Sequence, residues 1–161
     1  MAGTSPTLES LNLKALKGKK VAIISAQWHP EICDNLAAGA ELIFKAAQVE
    51  YETFTVSGSY ELPLAAQLKL DQGFDGAVVL GLVMRGDTAH FDYVAGEAAR
   101  GIMNAGLATG VPVIFGVLTV ENRAQAEERA DPARMNKGGE AVEAAIEMAT
   151  LLRGLDAGSE D

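Results

Sequence analysis

The sequence predicts an α/β protein of three layers, a four-stranded parallel sheet with helices on both faces. Two observations carry this reading. Short apolar runs rich in β-branched residues alternate four times with longer segments whose apolar residues recur at helical spacing, an order that calls for a parallel sheet between helices. The chain's 161 residues suit one compact domain with a sizeable core, and neither an internal repeat nor a linker divides it. Right-handed crossovers then limit the topology to a flavodoxin-like α/β/α sandwich.

Residues 1–17 read as an arm. Leu8, Leu11, Leu13 and Leu16 are more apolar than a free tail needs, so the arm is expected to pack on its own or a neighbouring subunit. Residues 18–155 make the single domain. Lys20–Ala26 is the first strand. Pro30 suits the first position of a helix, and Glu31–Gln48 carries Ile32, Leu36, Ile43 and Ala47 at helical spacing. Glu50–Val56 alternates as the second strand, Ser57-Gly58-Ser59 breaks it, and a short helix over Glu61–Leu70 closes at Gly73. Asp75–Met84 is a fully buried third strand and Phe91–Leu107 the third helix. Gly110-Val111-Pro112 leads into a fourth strand over Val113–Leu118. Arg123–Ala130 is a short helix, Asp131-Pro132 sits in a loop, and Gly138–Leu152 is the last long helix. Residues 156–161 read as an acidic, frayed tail.

Composition narrows the function. A hydrophobic content of 48% argues against disorder. The net charge of −9 makes nucleic acid or an anionic membrane a poor partner for the fold as a whole, so an anionic ligand would need a local basic cluster. Cys33 is the only cysteine, which excludes an intrachain disulfide framework and a thiolate zinc site, and two well-separated histidines argue against a structural metal. The first twenty residues lack the apolar core of a signal peptide, and no run has the length of a membrane span. The expectation is a reduced, cytoplasmic, soluble domain.

Open parallel sheets bind ligands beyond the carboxyl ends of their strands. Those ends carry Gln27-Trp28-His29, Ser57-Gly58-Ser59-Tyr60-Glu61, Arg85 to His90, and Thr119-Val120-Glu121-Asn122. The only tryptophan, both histidines and Glu61 thus meet on one edge. The third connection is the richest: a buried strand opens through a Gly turn into a helix, gathering free N–H groups and the positive dipole end as an anion site with Arg85 beside it. Histidine titrates near neutrality, so His90 is either a general acid–base there or a helix opener in solvent. Trp28 is either a loop anchor or a platform for a planar ring. Glu61 on its own reads as favouring a helix dipole, Arg129 and Lys137 as solvated charges, and His29 as a capping or surface residue. Arg85-Gly86-Asp87 spells an adhesion tripeptide, but at a strand-to-helix turn of a cytoplasmic chain that reading is discarded. Neither a Gly-x-x-x-x-Gly-Lys-Ser/Thr loop nor a Gly-x-Gly-x-x-Gly turn is present.

Leu80-Gly81-Leu82-Val83-Met84-Arg85-Gly86-Asp87-Thr88-Ala89-His90-Phe91-Asp92-Tyr93-Val94 resembles the signature of the 6,7-dimethyl-8-ribityllumazine synthase family of riboflavin biosynthesis. Three further blocks match in the same order: Ser57 to Pro63, Pro112 to Thr119, and Arg129 followed by Asn136-Lys137-Gly138. The resemblance runs from about Val21 to Leu152. It implies a transferase that condenses 5-amino-6-(D-ribitylamino)uracil with 3,4-dihydroxy-2-butanone 4-phosphate through an imine, with loss of phosphate and water. Neither a metal nor an organic cofactor is implied.

The resemblance also implies roles. Trp28 would stack on the pyrimidine; Ser59, Tyr60 and Glu61 would hold the ribityl chain; Leu82, Val83 and Met84 would offer main-chain groups to the uracil edge. Asp87, Thr88, Arg129 and Lys137 would bind the phosphate, and His90 would move protons. Phe115 and Arg129 would reach into the cavity of the next chain, because the family's sites lie between subunits of a homopentamer, which in some members pairs into decamers or closes into an icosahedral shell. Three positions depart from the family: Ser57 stands where proline is usual, Asp87 puts a carboxylate beside the phosphate, and Asp131-Pro132-Ala133-Arg134-Met135 replaces a Gly-rich segment. The rival expectation is a non-catalytic paralogue that holds a flavin or lumazine or only builds a shell.

Overall fold

The computed structural model describes residues 8–158. Strands β1 (Lys20–Ala26), β2 (Glu50–Val56), β3 (Gly76–Met84) and β4 (Val113–Val120) form one all-parallel sheet in the order β2-β1-β3-β4. Helices α1 (Pro30–Ala47), α2 (Leu62–Asp71), α3 (His90–Thr109), α4 (Arg123–Ala130) and α5 (Lys137–Gly158) connect and follow the strands. Successive side chains of a strand point to opposite faces, so the two central strands must be apolar on both. Ile23, Val78, Leu80 and Leu82 pack with α1, α4 and α5, whereas Ile24, Val79 and Val83 pack with α2 and α3. The expected three-layer sandwich is the observed one.

The helix ends follow local chemistry. Pro30 occupies the first turn of α1. Gly73 beyond α2 and Gly110 beyond α3 take φ of 94° and 67°, a region open to glycine at little cost. The α1–α5 seam depends on a third glycine: a Cβ on Gly138 would lie 1.9 Å from the Leu36 carbonyl oxygen. Behind it, the Asn136 carboxamide accepts from Gly139 N–H at 3.2 Å and caps α5.

Most helix boundaries shift by one or two residues from the sequence reading, and three differences matter more. β4 continues to Val120 because its pairing with β3 runs on to Met84↔Val120. Glu61 ends a 3-10 turn, Ser59–Glu61, rather than opening α2. Helix α5 runs through 156–158 instead of fraying there. Upstream on the same helix, Arg153 donates from Nε to the Ala15 carbonyl and, at 2.6 Å, from Nη2 to that of Lys17. The described part of the arm therefore packs on its own chain, with Ala15 and Leu16 buried. Residues 1–7 and 159–161, which complete the expected arm and tail, lie outside the described residues.

Candidate active site

The chain reverses its direction of travel across the sheet between β1 and β3, and at such a switch point the loops above the strand ends part to leave a crevice. A groove of about 640 Å3 occupies that place. Trp28, Ser59, Tyr60, Glu61, Leu82, Val83, Met84, Thr88 and His90 line it, so nine of the expected site residues from three different strand ends come together.

The β1 side is shaped by one strained residue and one small one. His29 lies in the left-handed region (φ 57°, ψ 64°), which turns the chain sharply from β1 into α1 and leaves Trp28 largely exposed over the groove. His29 lines the groove too and makes no side-chain cap. The Cys33 thiol donates to the Trp28 carbonyl at 3.2 Å, and burial pushes that thiol up to about 11. The indole rests on Gly58, where a Cβ would come within 3.2 Å of both Trp28 Cδ1 and Glu61 Oε2.

Glu61 is anchored rather than loose. Its Oε2 accepts from Gly58 N–H at 3.0 Å and from the Ser57 hydroxyl at 3.4 Å. The second bond is one that the family's usual proline could not supply. Ser59 is buried, and its hydroxyl donates to the Leu82 carbonyl at 3.4 Å rather than standing free in the groove. This close seat needs Gly81, since a Cβ there would meet Ser59 Oγ at 2.6 Å. The β1–β3 ladder ends at Ser25↔Leu80, yet β3 continues to Met84. Beyond that rung the β1-facing main chain of residues 81–84 has no strand opposite it, which is the condition for backbone groups to meet a ligand.

The β3–α3 loop differs from expectation at Arg85. Its Nε donates to both carboxylate oxygens of Glu121, at 3.2 and 2.9 Å. One of its terminal nitrogens lies 3.6 Å from Asp92, and its guanidinium stacks 4.1 Å from the centre of the Phe91 ring. Arg85 is therefore engaged by two carboxylates instead of standing free beside an anion. Thr88 Oγ1 accepts from His90 N–H at 3.3 Å, closing the first turn of α3 and leaving the hydroxyl proton free to donate. The His90 imidazole has no hydrogen-bond partner among the described residues. Asp87 is exposed and does not line the groove.

Phe115, Arg129 and Lys137 are not brought to this groove within one chain. Register pairs Phe115 with Val79, five residues below Met84, so it sits about 16 Å down the strand. There it shares a separate depression with Lys137 on the β4 edge. Lys137 is paired with Glu140, and Arg129 Nη1 donates to the Gln125 carbonyl at 3.1 Å. The loop before α5 is folded tightly on Asp131, whose Oδ1 accepts from Ala133 N–H at 2.8 Å. Phe91, Tyr93 and Val94 also line the groove, though the sequence reading did not single them out. Helical spacing offered the signal, because Tyr93 lies three residues after His90 on one face of α3. Among the described residues, no three His, Cys, Asp or Glu side chains cluster as a metal would require, and no helix is long and apolar enough to cross a membrane.

Residues 18–153 match the family model described as 6,7-dimethyl-8-ribityllumazine synthase. Proteins of that name from Xanthobacter autotrophicus, Deinococcus radiodurans and Kineococcus radiotolerans are 45%, 48% and 47% identical to the chain. The alignments cover 92%, 85% and 86% of this chain and 93%, 91% and 88% of those proteins. Among solved structures, a GDP-L-fucose synthetase from Naegleria fowleri overlaps 89% of this chain and 50% of that one, at 10% identity and a TM-score of 0.40, which is too loose to carry an argument.

Proposed function

The chain belongs to the 6,7-dimethyl-8-ribityllumazine synthase family, and from that premise we propose how its residues carry out the lumazine-forming step of riboflavin biosynthesis. The substrates are 5-amino-6-(D-ribitylamino)uracil and 3,4-dihydroxy-2-butanone 4-phosphate. The uracil ring lies against the Trp28 indole, its edge meets the main chain of Leu82, Val83 and Met84 beyond the β1 ladder, and the ribityl hydroxyls reach Tyr60, the Glu61 carboxylate and the turn at Ser59. The amine condenses with the ketone to give an imine and water, phosphate is eliminated to leave an enol that ketonises, and the ribityl-bearing nitrogen closes the ring on that carbonyl with loss of a second water. His90, at the groove wall, carries protons in these steps. Much of the rate comes from holding two reactants together.

The phosphate binds where the backbone N–H groups of Asp87 and Thr88 and the Thr88 hydroxyl open α3. It needs a cation that the groove of a single chain lacks, because Arg85 is already paired. We therefore assign Arg129 and Lys137, with Phe115, to the groove of a neighbouring copy. Two surfaces support a head-to-tail ring. Exposed Trp28, Tyr60, Leu64, Leu68 and Tyr93 belong to the groove and α2 side, whereas Met103, Leu107, Phe115 and Met148 are exposed near β4. Different patches that complement each other give a heterologous contact, which closes as a ring, here a homopentamer. Cys33, the sequence's one cysteine, is buried, and a chain with no disulfide framework suits a reducing, cytoplasmic setting.

The observation that carries this reading is the convergence of Trp28, Glu61, Thr88 and His90 from three strand ends on one groove at the switch point. The test mixes both substrates with wild-type protein and with His90→Ala and follows lumazine by absorbance. The reading expects product from the wild type and roughly 10²-fold slower turnover in the variant. Wild-type protein that binds lumazine or riboflavin but makes no product would instead identify a binding paralogue.

A further inference from the structure

We infer that Arg85 is a positioning residue that clamps the Gly86–Ala89 loop, and with it Thr88 and His90, over the groove; this rests on the site reading above. Four contacts define the clamp. The Arg85 N–H donates to the Val120 carbonyl at 2.9 Å, and its Nε donates to both oxygens of Glu121. Its Nη1 approaches Asp92, and the planar guanidinium covers the Phe91 ring. One side chain thereby joins the end of β3, the end of β4 and the first turn of α3.

The anchor it grips is itself fixed. Glu121 N–H donates to Gln125 Oε1 at 2.9 Å, while Asn122 caps α4 by accepting from Gln125 N–H at 3.0 Å. The loop has little else to hold it. Residues 85–90 are all exposed, and a Cβ built on Gly86 would touch nothing within 4 Å. Among the described residues, its further hydrogen bonds are local ones, donated by His90 N–H to Thr88 Oγ1 and by Asp92 N–H to the Ala89 carbonyl. Each exposed ion pair is individually weak, but a network of one cation, two carboxylates and an aromatic face holds a geometry that separate pairs do not. Arginine is suited to this because its flat head stacks and bonds at once, which a lysine cannot do.

The experiment compares Arg85→Ala, Glu121→Ala, the double variant and Arg85→Lys in two assays. Initial rates with each substrate varied in turn should show kcat falling and the KM for the butanone phosphate rising, together on the order of tenfold in kcat/KM, in both alanine variants. The KM for the pyrimidine should stay within about twofold, the double variant should be no worse than Arg85→Ala, and lysine should restore little. Hydrogen exchange over residues 85–94 should quicken in both alanine variants and stay unchanged elsewhere. An Arg85 that bound phosphate directly would be released by Glu121→Ala, which would then lower that KM and overturn the clamp. Equal loss for both substrates with a lower Tm would reduce the effect to general stability and also overturn it. If wild-type protein forms no lumazine, the reaction reading fails on its own, and the exchange rates alone decide the clamp: no quickening refutes it.

Discussion

Gly138→Ala puts the packing of α1 on α5 to a quantitative test. The added methyl carbon would fall 1.9 Å from the Leu36 carbonyl oxygen, 2.7 Å from its carbon and 2.9 Å from Leu36 Cα. All three are backbone atoms, so no side chain can swing aside. Reaching ordinary contact near 3.4 Å requires the helices to part by roughly 1.5 Å. That shift opens a seam lined by Leu36, Ala40, Val142 and Ile146, each fully buried. Overpacking and lost contact together should cost on the order of 3 kcal/mol, a large share of the 5–15 kcal/mol typical of a domain. In a chain of this length that corresponds to a fall in Tm of roughly 6–12 °C. The control sits on the same helix: a Cβ on Gly154 meets nothing within 4 Å. Gly154→Ala should therefore be neutral or stabilise by up to about 1 kcal/mol through helix propensity. Both are read by urea and thermal unfolding at one fixed subunit concentration, because association shifts apparent stability. A Gly138→Ala protein within about 0.5 kcal/mol of wild type would refute the seam as described.

Two other outcomes follow from the groove. Gly58→Ala would press on Trp28 and Glu61, each 3.2 Å from the new carbon, and should raise the KM for the pyrimidine several-fold while leaving the butanone phosphate KM nearly unchanged; steady-state kinetics decide it. Cys33 should resist thiol reagents at pH 8 in the native protein and react once urea unfolds it. Its folded value is raised from 9.0 to about 11, so the neutral thiol is favoured in the fold, and its contribution to stability is whole below pH 9 and lost as pH climbs from about 9 to about 11. Cys33→Ser should flatten that part of an unfolding-versus-pH curve.

β1 was legible because burial on both faces imposes a continuous apolar run, and the edge strand β2 because its residues alternate; both have the predicted ends. What escaped depended on partners distant in sequence. Arg85 read as a free cation because its carboxylate, Glu121, lies 36 residues away and meets it only when β4 pairs with β3. The end of α5 read as a frayed tail, although Arg153 higher on that helix is held by carbonyls more than 130 residues upstream. Ser59 was expected to hold the ribityl chain, and nothing in its neighbourhood betrays that Gly81 lets its hydroxyl sink onto β3. Within the groove, residues on one strand end announced themselves by crowding. Phe115, Arg129 and Lys137 carry no local sign of where they would act, and the fold of one chain leaves them outside the groove.

The central claim is that each site takes His90 from one chain and Arg129 from its neighbour. It is tested most directly by co-assembling two inactive variants, His90→Ala and Arg129→Ala, in equal amounts and assaying lumazine formation. With sites shared around a ring, random mixing should restore about a quarter of wild-type activity, since one site in four pairs an intact histidine with an intact arginine. Activity no greater than that of the two variants assayed alone, in verified mixed oligomers, would contradict it and confine the site to a single chain.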